Sequence, residues 1–86
     1  MKVKYIGQSF LPLCLTDGKV YNCLGAEVAG EFGVTLRVID DSGEDYLYSA
    51  QYPKPWTSNL PAGRWEVIED DENGTLRKAI YKGIVE

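Results

Sequence analysis

The sequence contains no histidine, which removes the commonest general base and a favoured metal ligand. Cysteine is scarce as well: Cys14 and Cys23 are the only two. Small secreted scaffolds held by disulfides are far richer in cysteine. The eight residues between these two match neither a redox pair nor a zinc pair. They read as reduced thiols, at least one packed as a small hydrophobe. A long apolar run is missing too. The longest stretch without a charge, residues 6–16, carries Gln, Ser and Pro and falls well short of the roughly 20 residues a membrane helix needs. No basic segment precedes it, so no secretory signal is expected and the expected location is cytoplasmic.

The remaining catalytic signatures are absent. The glycines of residues 25–33 are not followed by a Gly-Lys-Ser/Thr ending, so no phosphate loop is read there. Ser9, Ser42, Ser49 and Ser58 sit in no nucleophile-elbow context, and no histidine is available to activate either thiol. Two acidic runs, at residues 40–45 and 69–72, invite a cation. Their spacing does not match a calcium-binding loop, and both read as solvated turns that also guard against edge pairing. The expectation is a non-enzyme with no cofactor and no metal.

What is present is a globular balance. With 44% hydrophobic and 26% charged residues, the chain is neither disordered nor membrane-like. Its 86 residues suit one core, and ten aromatic side chains help to fill it. The net charge of −4 is uneven: residues 1–20 carry +2, residues 21–74 carry −8 and residues 75–86 carry +2. An acidic middle is a poor match for phosphate backbones, so nucleic-acid binding ranks last.

Period-two alternation marks a strand at residues 2–6, where Lys2 and Lys4 oppose Val3 and Tyr5. Residues 7–18 read as a long, unusually apolar loop folded back over the sheet. Residues 19–28 and 34–40 are further strands, with Gly30 and Gly33 bracketing the turn between them. Asp41-Ser42-Gly43-Glu44 is a tight hairpin turn leading to a strand at 45–49. Residues 52–56 are proline-restricted and extended, residues 58–63 can form one helical turn, and a fifth strand covers 64–68. Residues 75–86 fit two templates. Leu76, Ala79, Ile80, Gly83 and Ile84 make a helical stripe with Thr75 as its N-cap, whereas Asn73-Gly74 would also suit a hairpin into a sixth strand. The helix is preferred, and its stripe needs cover from the sheet or from a second copy of the chain.

Five short strands with a long first loop and a tight third connection look like the Src-homology-3-like barrel. The expected fold is thus all-β, a five-stranded barrel over residues 1–70 with a C-terminal extension at 71–86. Two local motifs add a closer likeness. Residues 15–24 (LTDGKVYNCL) and 36–48 (LRVIDDSGEDYLY) resemble a family of small uncharacterised proteins of Gram-positive bacteria and their phages. The closing segment RWEVIED, residues 64–70, fits the strand that ends such chains. The resemblance implies the barrel fold but no activity. The loop at 7–14 and the tail at 71–86 are longer than in the usual form.

Aromatic residues are the functional lead. With Leu47 directed inward, Tyr46 and Tyr48 point outward, near the proline-flanked Tyr52 and Trp56. Beside the acidic turn residues Asp41 and Glu44, these rings suit an extended, proline-rich or basic peptide. Trp65 reads as a core residue. The leading expectation is a protein-interaction module. The alternatives are a structural, self-assembling phage-related protein dimerising through its tail, and a nucleic-acid-binding module.

Overall fold

A computed structural model of the chain describes residues 1–9, 15–30, 33–53 and 62–85. Five strands, β1 (Lys2–Ile6), β2 (Val20–Val28), β3 (Val34–Ile39), β4 (Asp45–Ser49) and β5 (Arg64–Glu69), form one antiparallel sheet. Its order is β4-β3-β2-β1-β5. Each strand expected from the sequence is present, with ends displaced by no more than one residue. The alternation of β1 does what its sequence implies: Val3 and Tyr5 are buried, and Lys2 lies in solvent.

Strand β2 is the organiser. Val20, Tyr21 and Asn22 pair with β1, whereas the stretch from Cys23 to Val28 pairs with β3. The register breaks between Cys23 and Gly25, as a bulge that bends a strand does. The sheet therefore curls around one apolar cluster that includes Val3, Tyr5, Tyr21, Leu36, Val38 and Trp65. It stays open: among the described residues no strand ladder joins the edges β4 and β5. A side chain spans the gap instead. The indole N–H of Trp65 on β5 donates to the Ser49 carbonyl at the end of β4, at 3.0 Å.

Trp65 is a core residue, as its alternation with Glu66 implies. Three tyrosine rings meet it edge-on, with centroids 5.7 Å (Tyr5), 6.3 Å (Tyr21) and 6.3 Å (Tyr48) away. That geometry sets the positive ring edge against the negative face.

The tail is helical. Helix α1 (Thr75–Arg77) runs on into a wider π-helical turn, Lys78–Lys82. Leu76, Ala79 and Ile80 are buried in the same cluster as the strands, so the sheet itself covers the stripe. Ile84 lies partly in solvent, beyond the end of the stripe. Gly83, at φ 66°, closes the segment, and the Ile84 N–H returns to the Lys78 carbonyl at 3.1 Å. Thr75 is not the N-cap, as the sequence suggested. Gly74 holds that position, and Thr75 is the first helical residue.

The acidic turn before the helix is not merely solvated. Asp70 accepts the N–H groups of Leu76 and Arg77, and Asp71 accepts that of Thr75. These are amides that a helix start leaves without intrahelical partners. Residues 10–14 of the loop expected at 7–18, and most of the helical turn expected at 58–63, lie outside the described residues.

Candidate interaction surface

The hairpin between β3 and β4 carries the acidic residues singled out from the sequence. Its turn closes on itself: the Gly43 N–H donates to the Asp40 carbonyl at 3.0 Å, and the Asp40 N–H to the Glu44 carbonyl at 3.1 Å. The Asp40 side chain accepts the Ser42 N–H at 2.9 Å and the Ser42 hydroxyl. An Asp followed two residues later by Ser, ahead of a glycine at φ 83°, is a turn signature that was legible in the sequence.

The tyrosines of β4 reverse one expectation. Tyr48 pairs across from Leu36 and Tyr46 from Val38, whereas Leu47 pairs with Arg37. Leu36 and Val38 are fully buried, so the tyrosines share the inward face and Leu47 takes the outer one. Tyr48 is only 5% exposed, and its hydroxyl donates to Asp40 Oδ2 at 2.7 Å. Alternation reveals which residues share a face but not which face is inside. Here the phenol with a carboxyl partner wins the interior over leucine.

Tyr46 follows the same direction but sits at the hairpin end, where it remains 48% exposed. Its hydroxyl donates to Glu44 Oε2 at 2.9 Å. Tyr52 lies past the other end of β4 and is 68% exposed. Its N–H donates to Ser49 Oγ at 3.1 Å. Ser49 lies three positions along the strand from Tyr46, about 10 Å. Of the residues predicted to form the site, Glu44 and Tyr46 are brought together, and Tyr52 stands beyond the far end of the strand. Trp56 lies outside the described residues.

Asp41 serves a different purpose from a ligand contact. Its carboxylate accepts hydrogen bonds from Thr16 Oγ1 (2.7 Å), Lys19 Nζ (2.6 Å) and the Tyr21 hydroxyl (3.0 Å). The Tyr21 oxygen in turn accepts the Thr16 N–H at 2.6 Å. Burial alone would raise the Asp41 pKa. The bonds from Lys19, Thr16 and Tyr21 outweigh it and hold the carboxyl below its ordinary range. This knot ties the hairpin turn to the residues that lead into β2, and sequence reasoning missed it because the partners are 20 to 25 positions apart.

Other features offer less. A shallow depression of about 170 Å³ borders Leu24, Gly25, Ala26, Glu27 and Arg37. Its guanidinium is already engaged by Glu27 (2.7 Å) and Asp45 (2.9 Å). Cys23 is a buried, unbridged thiol. Burial pushes its pKa up, which suits packing rather than reactivity. Cys14 lies outside the described residues. Among the described residues, no group of three or more cysteine or acidic side chains is arranged to hold a metal ion, and no helix is long and apolar enough to cross a membrane.

Compared with protein-family profiles, with curated proteins and with solved structures, the chain matches none.

Proposed function

We propose that this chain is a non-enzymatic interaction module with a Src-homology-3-like strand arrangement. Its ligand is an extended, basic or proline-containing segment of a protein partner, which lies along β4 between Tyr46 and Tyr52. The observation that carries this reading is the division of the six tyrosines. Tyr5, Tyr21 and Tyr48 are consumed by the core, whereas Tyr46, Tyr52 and Tyr81 are exposed. Tyr81 stands on the C-terminal helical segment, while Tyr46 lies on the edge strand β4 and Tyr52 three residues past its end. Exposed phenols give large contact area at low entropic cost, and their spacing suits an extended peptide.

The charge fits the same ligand. Glu44 meets the Tyr46 hydroxyl, and residues 21–74 carry the molecule's excess of acid. That field attracts basic segments and repels phosphate backbones, which ranks nucleic acid behind protein. The tail-dimer alternative has lost its main support, since Leu76, Ala79 and Ile80 are covered within the chain. The barrel assignment rests on the strand order and on the shared, bent β2. The kinship with small bacterial and phage proteins, and a cytoplasmic setting, rest on the two motifs.

The test is an amide-resolved titration with a synthetic arginine- and proline-containing decapeptide. Shifts concentrated on Glu44, Tyr46 and Tyr52 support the reading. Scattered shifts, or none, refute it.

A further inference from the structure

We infer that Tyr21 and Tyr48 are positioning residues: their hydroxyls, bonded to the adjacent carboxyl groups of Asp41 and Asp40, hold the β3–β4 turn in its binding-ready shape. The inference rests on the proposed peptide surface, because that turn carries Glu44 and leads directly into Tyr46. The two phenols approach from different strands, Tyr21 from β2 and Tyr48 from β4. Both rings also pack edge-on against Trp65. The turn is therefore clamped from beneath at two consecutive residues, and both clamps rest on one buried indole.

Neither phenol touches the proposed ligand. Tyr21 and Tyr48 are 3% and 5% exposed, so their contribution to binding is to cut the ordering cost of the turn. The clamp on Asp41 is shared by Thr16 and Lys19, which pin the same residue from the segment ahead of β2. The amides of Ser42, Gly43 and Glu44 all donate within the turn, so their hydrogen exchange reads its order directly.

The experiment compares Tyr21→Phe and Tyr48→Phe with the unaltered protein, measuring exchange at those three amides and affinity for the arginine- and proline-containing decapeptide. Phenylalanine keeps the ring packing; Tyr48→Phe removes the bond to Asp40, and Tyr21→Phe removes the bond to Asp41 together with the acceptor of the Thr16 N–H. Exchange is expected to quicken, and affinity to fall, by about 5–10-fold each. A Tyr46→Ala/Tyr52→Ala protein is expected to lose binding while its turn exchanges as before. If either phenylalanine variant fails to fold, Thr16→Val, outside the aromatic cluster, tests the Asp41 clamp by the same two readouts.

Unchanged exchange in the variants overturns the inference. Faster exchange with unchanged affinity overturns the positioning role. If the unaltered protein does not bind the peptide, the binding reading fails, and exchange alone then decides whether the phenols order the turn.

Discussion

Trp65 and Ser49 join the two open edges of the sheet: the indole N–H of one donates to the main-chain carbonyl of the other at 3.0 Å. The bond closes with a side chain what the backbone leaves open. Trp65→Phe removes it, trims the ring that three tyrosines contact, and leaves the carbonyl without that donor. The expected loss is about 2–3 kcal/mol, measured by urea unfolding followed by circular dichroism. A variant within about 0.5 kcal/mol of the unaltered protein would show that the edges are held by something else.

Gly63 is fixed by lack of room. A Cβ there would lie 2.5 Å from Tyr5 Cε1 and 2.6 Å from the Ile6 carbonyl oxygen, and the main chain of β1 cannot give way. Gly63→Ala is expected to destabilise by about 2 kcal/mol through overpacking. Gly74→Ala meets open space but must hold φ at 73°, which costs about 1 kcal/mol. Urea midpoints of the two variants should fall in that order.

The start of the C-terminal helix depends on a carboxylate that the sequence presents only as part of an acidic run. Asp70, its side chain 2% exposed, accepts the amides of Asp71, Leu76 and Arg77. Asp70→Ala is expected to cost about 2 kcal/mol and to speed exchange at Leu76 and Arg77 before the strand amides respond. Uniform change across the chain would mean that the helix and sheet unfold only together.

Much of this molecule is legible in its residues. Alternation located the strands, Ser42-Gly43 located the hairpin, and the spacing of Leu76, Ala79 and Ile80 favoured the helix. What escaped was pairing at a distance. Tyr48 reads as an outward ring until Asp40 supplies a buried acceptor. Asp41 reads as a solvated turn residue until Thr16, Lys19 and Tyr21 converge on it. Asp70 and Asp71 read as surface charge until the helix start turns its amides toward them. In each case a polar group changes its role because the fold delivers a partner that no local pattern reveals.

Stability is expected to fall on both sides of neutrality. Asp41, Asp45, Asp70 and Asp71 all lie below the ordinary value of 3.8. Asp45 is held there by Arg37, and Asp71 by Thr75. As pH drops, the unfolded chain takes up protons first, so this stabilisation is whole above about pH 4 and is lost as pH falls through the folded values. On the alkaline side the Tyr5 phenol is pushed up from 10.0 to about 12, chiefly by burial and then by Asp17 and Tyr21. That contribution is whole below pH 10 and is lost as pH climbs from 10 toward 12. Urea midpoints should be level between about pH 5 and 9, decline below about pH 4 and decline again above about pH 10. Asp41→Asn should flatten the acid limb. A midpoint constant down to pH 2 would contradict the assignment.

The most direct test of the whole account is the amide-resolved titration with the arginine- and proline-containing decapeptide, run in parallel on the unaltered protein and on Tyr46→Ala/Tyr52→Ala. The account predicts saturable shifts along Glu44, Tyr46 and Tyr52 in the first and none in the second. Equal shifts in both proteins, or a response centred on the helix instead of β4, would contradict it.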